Sequence, residues 1–392
     1  MPDALIVAGA RSAIGTARKG TLVDVDPFDL ARYGVQEIVQ RSGIPTDQID
    51  DVVFGEVLQG GGDIARYAAL ESGIANVPGI AHNRHCASGL SALQTAAGSI
   101  MAGMDQVVIA GGAESISMSP GVMRRVPGTD EYQQWMSPSH PEEPDAPAFD
   151  MSITVGWNTA QRGGITREEL DEFAYRTHMD AIRAIDDGRF QDEIFPIEVK
   201  RRDGSTTVFD TDEHPRRETS LEKLASLKPL HPEIDGFSIT AGNASGMNDA
   251  VAAVMMVSSD YAEAHGLKPL ARIRSWASVG VEPRHTGYGP VYAIPKALER
   301  AGLSVGDIDL WEVNEAFCSV PIAVMKELGV SRDRLNVNGS GCSLGHPVAA
   351  TGARMVITTM FELRRRGGGL GAVSMCAGGG MGSATVFEVF PA

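Results

Sequence analysis

Short apolar runs recur along the chain at Ala4–Ala8, Val52–Phe54, Gln106–Ala110, Leu310–Val313 and Ala372–Cys376. Each is too short for a stable helix and is bounded by polar or glycine residues, so each is expected to form a strand covered on both faces. Between the first two runs, Pro27–Gln40 carries apolar positions at helical spacing, and Ser91–Met101 does the same between the second and third. Strands alternating with helices predict an α/β chain.

The pattern also repeats. Ser42-Gly-Ile-Pro-Thr-Asp-Gln-Ile-Asp50 leads into the run at 52, and Ala301-Gly-Leu-Ser-Val-Gly-Asp-Ile-Asp309 leads into the run at 310. Each copy continues through a glycine-bounded turn, an apolar helix and a strand ending in glycines, Gly111-Gly112 in one and Gly378-Gly379-Gly380 in the other. A duplicated chain is expected. The region between the copies differs, with many charges, several prolines and a helical stretch over Arg167–Asp187. It reads as an insertion over residues 119–246, flanked by a first half at 1–118, completed by about 247–269, and a second half at 270–392. Within it, Glu142–Pro147 holds three acidic residues and two prolines, which predicts an exposed loop.

Composition narrows the function classes. At 392 residues the chain is long enough for more than one packed unit, and 43% hydrophobic with 21% charged residues is the balance of a folded soluble protein. The 45 glycines exceed the usual share of about 7%, which points to close backbone approach in short loops. A net charge of −16 without a basic stripe argues against nucleic acid. No apolar run approaches the ~18 residues of a membrane span, and no secretory signal is expected from the N-terminus, so a cytoplasmic location is expected. The four cysteines, at 86, 318, 342 and 376, include no Cys-x-x-Cys pair. They read as reduced thiols, with no metal site expected.

Four segments carry candidate chemistry. Cys86, in Asn83-Arg-His-Cys-Ala-Ser-Gly-Leu90, stands ahead of Leu90, Leu93, Ala97 and Ile100 at helical spacing. A helix N-terminus there favours a thiolate nucleophile, although a buried structural cysteine fits the local pattern equally. His346 precedes Pro347 at the expected first turn of a second helix, where it is a candidate base for Cys86 or, alternatively, a packed histidine. Cys376 ends a strand that opens into Gly378-Gly379-Gly380, a turn able to offer backbone N–H donors to a developing oxyanion; a buried thiol at a strand exit is the alternative. Asn314, in Asn314-Glu-Ala-Phe317, follows the strand at 310, where an α/β sheet presents ligand-facing loops. It could orient a water or a carbonyl, or only brace its own turn.

Together with Gly111-Gly-Ala-Glu-Ser115, Gly188-Arg-Phe-Gln-Asp-Glu-Ile194 and Thr240-Ala-Gly-Asn-Ala-Ser-Gly246, these segments resemble the thiolase family from Ala4 to near the C-terminus. The resemblance implies two βαβαβαββ halves in a five-layered α/β/α/β/α core, with an inserted loop domain over the substrate. It further implies that Cys86 is acylated, His346 activates it, and Cys376 exchanges the proton at the α-carbon of acetyl-CoA. One oxyanion site would use His346 and a water held by Asn314, the other the N–H groups of Cys86 and Gly378. Coenzyme A would be a co-substrate, with no tightly bound cofactor. Arg216 and Ser245 would contact it, while Ala241 and Phe317 would line the pantetheine tunnel. Lys200, Arg201 and Arg202 read instead as a solvated face. The family's members form dimers or dimers of dimers, so a homodimer or homotetramer is expected.

The chain departs from the family pattern in places. Biosynthetic thiolases carry His-Met in the covering loop, where this chain has Asp150-Met151, and a Met that borders the acyl pocket aligns with Thr286. Both changes point to thiolysis of a 3-ketoacyl-CoA with an acyl group larger than acetyl, against the alternative of a biosynthetic acetoacetyl-CoA thiolase. Ser340 and Ala349 replace glycines near His346. Cys318 and Cys342 match no catalytic position and read as packing residues, Cys342 being the better placed to face the pocket. A decarboxylating ketoacyl synthase would not keep Cys376, and a non-catalytic acyl-CoA-binding relative would have lost one of Cys86, His346 and Cys376.

Overall fold

A computed structural model describes all 392 residues. The first half runs β1 (Ala4–Arg11), α1 (Pro27–Ser42), β2 (Asp51–Gly55), α2 (Ile64–Glu71), β3 (Gly79–His82), α3 (Ser88–Met101) and β4 (Val107–Ser115). Local signals set α1: the Asp26 side chain accepts from the Phe28 N–H, Pro27 opens the first turn, and Gly43 closes the helix in the left-handed region at φ 64°. The next stretch carries two small hairpins, Val122–Arg125 with Tyr132–Trp135 and Ile197–Lys200 with Thr206–Phe209, and the helix α4 (Arg167–Asp186). Thr166 and Glu169 form a capping box at its start. The chain then enters β5 (Asn248–Ser258), which is buried along its whole length.

The second half runs β6 (Ala271–Gly280), α5 (Gly289–Ala301), β7 (Leu310–Val313), α6 (Ser319–Leu328), α7 (Thr351–Arg365), β8 (Gly369–Ala377) and β9 (Met381–Val389). The neighbour order β1-β5-β4-β2 is matched by β6-β9-β8-β7, and the parallel pair β2/β4 by β7/β8. Beside β2 lies β3, and beside β7 the chain at Leu335 runs parallel to Trp311 in the same place. The expected duplication is therefore visible strand by strand. Only Leu5↔Arg272 and Ile6↔Ala271 pair across the junction of β1 and β6.

Packing gives the layers. Leu30, Val35, Ile38 and Ile64 of α1 and α2 bury against the outer face of the first sheet. Ala293, Ile294, Val320 and Val324 of α5 and α6 cover the outer face of the second. Between the sheets, Leu90 and Leu93 of α3 and Met355, Val356 and Met360 of α7 pack with Val254 and Phe387. Both helices are buried along most of their length because both faces are core, and α7 accordingly buries Arg354, Thr358, Thr359 and Glu362 along with its apolar residues. The result is the five-layered α/β/α/β/α arrangement that the resemblance implied.

One expectation about a helix end fails. Pro347, just after His346, was placed at the first turn of a helix, but α7 begins four residues later, at Thr351. Residues 347–350 form a tight turn in which the Ala350 and Thr351 N–H groups both donate to the Pro347 carbonyl, each at 2.9 Å.

Candidate active site

Cys86 lies just ahead of α3, on a turn fastened by Ser88, whose hydroxyl donates to the His85 carbonyl at 2.7 Å and accepts from the Arg84 N–H at 2.8 Å. His85 takes a left-handed conformation at φ 45°, uncommon for a residue with a side chain, so the turn holds local strain beside the thiol. From the glycine turn after β8, the Gly378 N–H reaches the Cys86 sulfur. The helix start was expected to lower the thiol's pKa. Burial wins instead and pushes Cys86 up to about 11, partly opposed by the N–H groups of Gly378 and Cys86 and assisted by Glu114.

His346 arrives from the opposite half. Its Nδ1 lies 2.7 Å from the Thr351 hydroxyl, and that hydroxyl donates its only proton to the Pro347 carbonyl at 2.8 Å. With the hydroxyl proton on that carbonyl, Nδ1 carries the imidazole proton and Nε2 keeps its lone pair. Asn314 Nδ2 stands 3.5 Å from Nε2, and Asn314 Oδ1 is buried with no partner. Burial, then the charge of Arg354, lowers the His346 pKa to about 3, so the ring is neutral at neutral pH. A thiol near 11 and an imidazole near 3 do not form a resting ion pair. A lone pair on Nε2 can accept a thiol proton during attack on a substrate, and the resulting Nε2–H can donate to an oxyanion.

Cys376 completes the group at the end of β8. Burial first, and the neighbouring Cys86 second, raise its pKa, so it too is a neutral thiol at rest. The arrangement thus supplies a nucleophilic sulfur, a base with a defined lone pair, a second thiol able to give or take a proton, and N–H donors from a turn with almost no side chains. Those are the groups acyl transfer through a thioester with carbanion chemistry requires.

The residues expected near coenzyme A also converge. Arg216 donates to the Ala241 carbonyl at 3.4 Å and, with Arg217, Lys223, Leu224 and Leu227, lines a cleft of about 410 Å³. The Ser245 N–H donates to the Ala316 carbonyl at 2.9 Å, and Ala244 bridges to Phe317. Phe317 lies against Gly156, where an added Cβ would stand 2.8 Å from the ring. Met151 packs on the same apolar cluster. Lys200 and Arg202 are exposed, Arg202 paired to Asp24 at 2.6 Å, as a solvated face requires.

Family models for the thiolase N-terminal domain and the thiolase C-terminal domain match residues 4–260 and 267–389. The chain is a member of the thiolase family. It is 42% identical to an acetyl-CoA acetyltransferase of Pseudomonas aeruginosa, over 98% of each chain. It is 40% identical to a 3-ketoacyl-CoA thiolase of Bacillus subtilis, over 99% of this chain and 100% of that protein. Its structure is similar to the crystal structure of the Bacillus anthracis acetyl-CoA acetyltransferase, at a TM-score of 0.92 and 41% identity, covering 100% of this chain and 99% of the other. The protein is an acyltransferase, and no helix is long and apolar enough to cross a membrane.

As a thiolase it has features that the sequence did not disclose. Asp150, expected from the resemblance to replace a histidine, meets an imidazole all the same: His231 Nε2 lies 2.8 Å from Asp150 Oδ2, while its Nδ1 meets Glu233 at 2.8 Å. Thr286 is fully buried, and its hydroxyl donates to Pro283 O at 2.6 Å and accepts from the Gly380 N–H at 3.1 Å. It therefore braces the glycine turn that follows β8. Cys342, expected to be the better placed to face the pocket, turns into the core with its sulfur 3.6 Å from the Gly242 carbonyl; Cys318 is buried beside it. Ser340 joins the buried pair Glu312–Arg354, accepting from Arg354 and donating to Glu312 at 2.8 Å. Thr351 and Glu114 were missed as candidates. Glu114 sat inside a quoted family stretch, and Thr351 opened a helix, but neither carried a chemical signal of its own.

Proposed function

We propose that this thiolase works in the degradative direction, using coenzyme A to cleave 3-ketoacyl-CoAs whose acyl group is larger than acetyl. Cys86 attacks the keto carbon while its proton passes to His346 Nε2. The bond between carbons 2 and 3 then breaks, the acetyl-CoA enolate takes a proton from Cys376, and the acyl group remains on Cys86. The thiol of free coenzyme A gives its proton to the Cys376 thiolate and attacks that thioester; the shortened acyl-CoA is released as Cys86 leaves and takes back its proton from His346. Arg216, Ala241, Ser245, Met151 and Phe317 hold the coenzyme, while Asn314 and Gly378 serve the two oxyanion sites. These assignments draw on the convergence of the side chains and on the family.

The observation that carries the substrate preference is Thr286. Its hydroxyl has both a donor and an acceptor partner, so a side chain smaller than Met is accommodated beside the glycine turn without an unpaired polar group. Cleavage rates across 3-ketoacyl-CoAs of rising chain length test the reading. Wild type is expected to prefer longer chains, and Thr286→Met to move the preference toward acetoacetyl-CoA by about 10-fold or more, the scale of a methylene-sized change in a pocket. A sharp preference of the wild type for acetoacetyl-CoA would overturn it in favour of the acetyl-CoA acetyltransferase activity named for the Pseudomonas relative.

A further inference from the structure

The loop that carries His346 belongs to the second half, yet the first half holds it at two points. Asn248, opening β5, accepts from the His346 N–H at 2.9 Å. Glu114, near the end of the adjacent β4, accepts from the Ala349 N–H at 3.1 Å through Oε2. The other oxygen of Glu114 accepts from the Leu58 N–H at 3.2 Å and from the Gln59 side chain. Three N–H donors thus enclose a fully buried carboxyl, and no Arg, Lys or His is paired with it. The Ala349 carbonyl meanwhile points at glycines of the first half. A Cβ on Gly55 or Gly89 would fall 2.8 or 2.5 Å from that oxygen, and one on Gly112 closer still, so only backbone lets the turn seat this deeply.

We propose that Glu114 is a positioning residue: its carboxyl clamps the Ala349 peptide onto the first half and so sets where the His346 imidazole stands relative to the Cys86 sulfur. The proposal rests on the thiolase reading of Cys86 and His346 given above. A buried carboxyl is an expensive way to hold one peptide N–H, since burial and the charge of Asp249 oppose its ionisation and push it up to about 7 against the pull of its three donors. Its charge is also felt at Cys86. An amide or hydroxyl would serve a purely structural tie at lower cost. When ionised, the carboxylate gives a charge-assisted bond of roughly twice the ordinary strength, at the point where the two halves must register their catalytic loops.

The test is Glu114→Ala in the full-length protein, read by thiolysis kinetics and by amide hydrogen exchange of the peptide covering 343–350. The expected result is a kcat lower by about 10²-fold, the cost of misplacing a catalytic group by about 1 Å, with KM for coenzyme A unchanged. Exchange should rise in 343–350 and stay at the wild-type level in α3. Gln59→Met, which removes one of the three donors and leaves Glu114 in place, should show the same pattern more weakly. It also covers the case in which Glu114→Ala does not fold. Wild-type kcat with wild-type exchange in either folded variant would overturn the proposal, as would a rise in exchange spread evenly over the chain, which a merely structural role would give. Because exchange is read without substrate, failure of the wild type to cleave any 3-ketoacyl-CoA would refute the function while leaving the clamp itself open to this measurement.

Discussion

Replacing Thr351 by Val changes little volume but deletes the hydroxyl that fixes the His346 tautomer. One buried group loses its partner, the Nδ1–H, which donates across 2.7 Å; the Pro347 carbonyl keeps the Ala350 and Thr351 N–H groups. A buried donor left unpaired costs about 1–3 kcal/mol. The imidazole can escape that cost by moving its proton to Nε2. About 1.4 kcal/mol is enough to change the ratio of the two tautomers tenfold, and in the second form the nitrogen facing Asn314 has no lone pair with which to take the Cys86 proton. The expected result for Thr351→Val is therefore a kcat lower by about 10- to 100-fold, with KM for coenzyme A unchanged. Thr351→Ser keeps the hydroxyl and should restore most of the rate. Steady-state thiolysis of one 3-ketoacyl-CoA by the three proteins checks this, with urea unfolding run alongside to separate catalysis from stability. A Thr351→Val enzyme with wild-type kcat, or a Ser variant as impaired as the Val variant, would refute the tautomer argument.

Two further outcomes follow from buried charge. Arg354→Met leaves Glu312 buried without its cation and should lower unfolding free energy by about 3–5 kcal/mol; removing the pair together, with Glu312→Leu added, should recover most of that, as urea titrations would show. The second outcome concerns acid. Burial lowers His346 and His178 to about 3 and His214 to about 4, so these rings stay neutral in the fold while the unfolded chain binds protons below about 6.5. The unfolded state then binds more protons, so stability falls as pH drops from about 6.5 toward 4. Thermal unfolding across that range should show the slope, and His178→Gln should reduce it.

Much of the fold was legible because each strand is an apolar run with a polar or glycine edge, and because the duplicated lead-in at Ser42 and Ala301 announces the same element twice. Cys86 was legible through the helix that follows it. Its protonation was not, since the pKa is decided by burial under chain segments distant in sequence, and a local pattern reports only the helix. The start of α7 was misread for a related reason. Pro347 is a fair signal for a first turn, but the Ala349 peptide is already committed to Glu114 and the glycines of the other half, which keeps residues 347–350 out of the helix. The imidazole beside Asp150 was hidden in the same way, because His231 lies far along the chain and meets it only in three dimensions.

The duplication explains why the two reactive loops meet at all. Cys86 and His346 each stand just before the helix that their half sends into the central layer, and the opening residues of those helices correspond: Ser88-Gly89 in α3, Thr351-Gly352 in α7. Both hydroxyls turn back to a carbonyl in the preceding turn, Ser88 to His85 and Thr351 to Pro347. Both glycines face the opposite loop or helix, Gly89 the Ala349 carbonyl and Gly352 the backbone of Leu90, where a Cβ would stand 2.5 Å from that oxygen and 2.8 Å from the Leu90 Cα. What differs is what each hydroxyl accepts: a backbone N–H from Arg84 in one half, the imidazole N–H of His346 in the other. One turn thereby presents a sulfur held by backbone alone, and its counterpart presents a ring held in one tautomer. On the proposed mechanism, the repeated helix start holds a backbone N–H on the side of the nucleophile and an imidazole N–H on the side of the base.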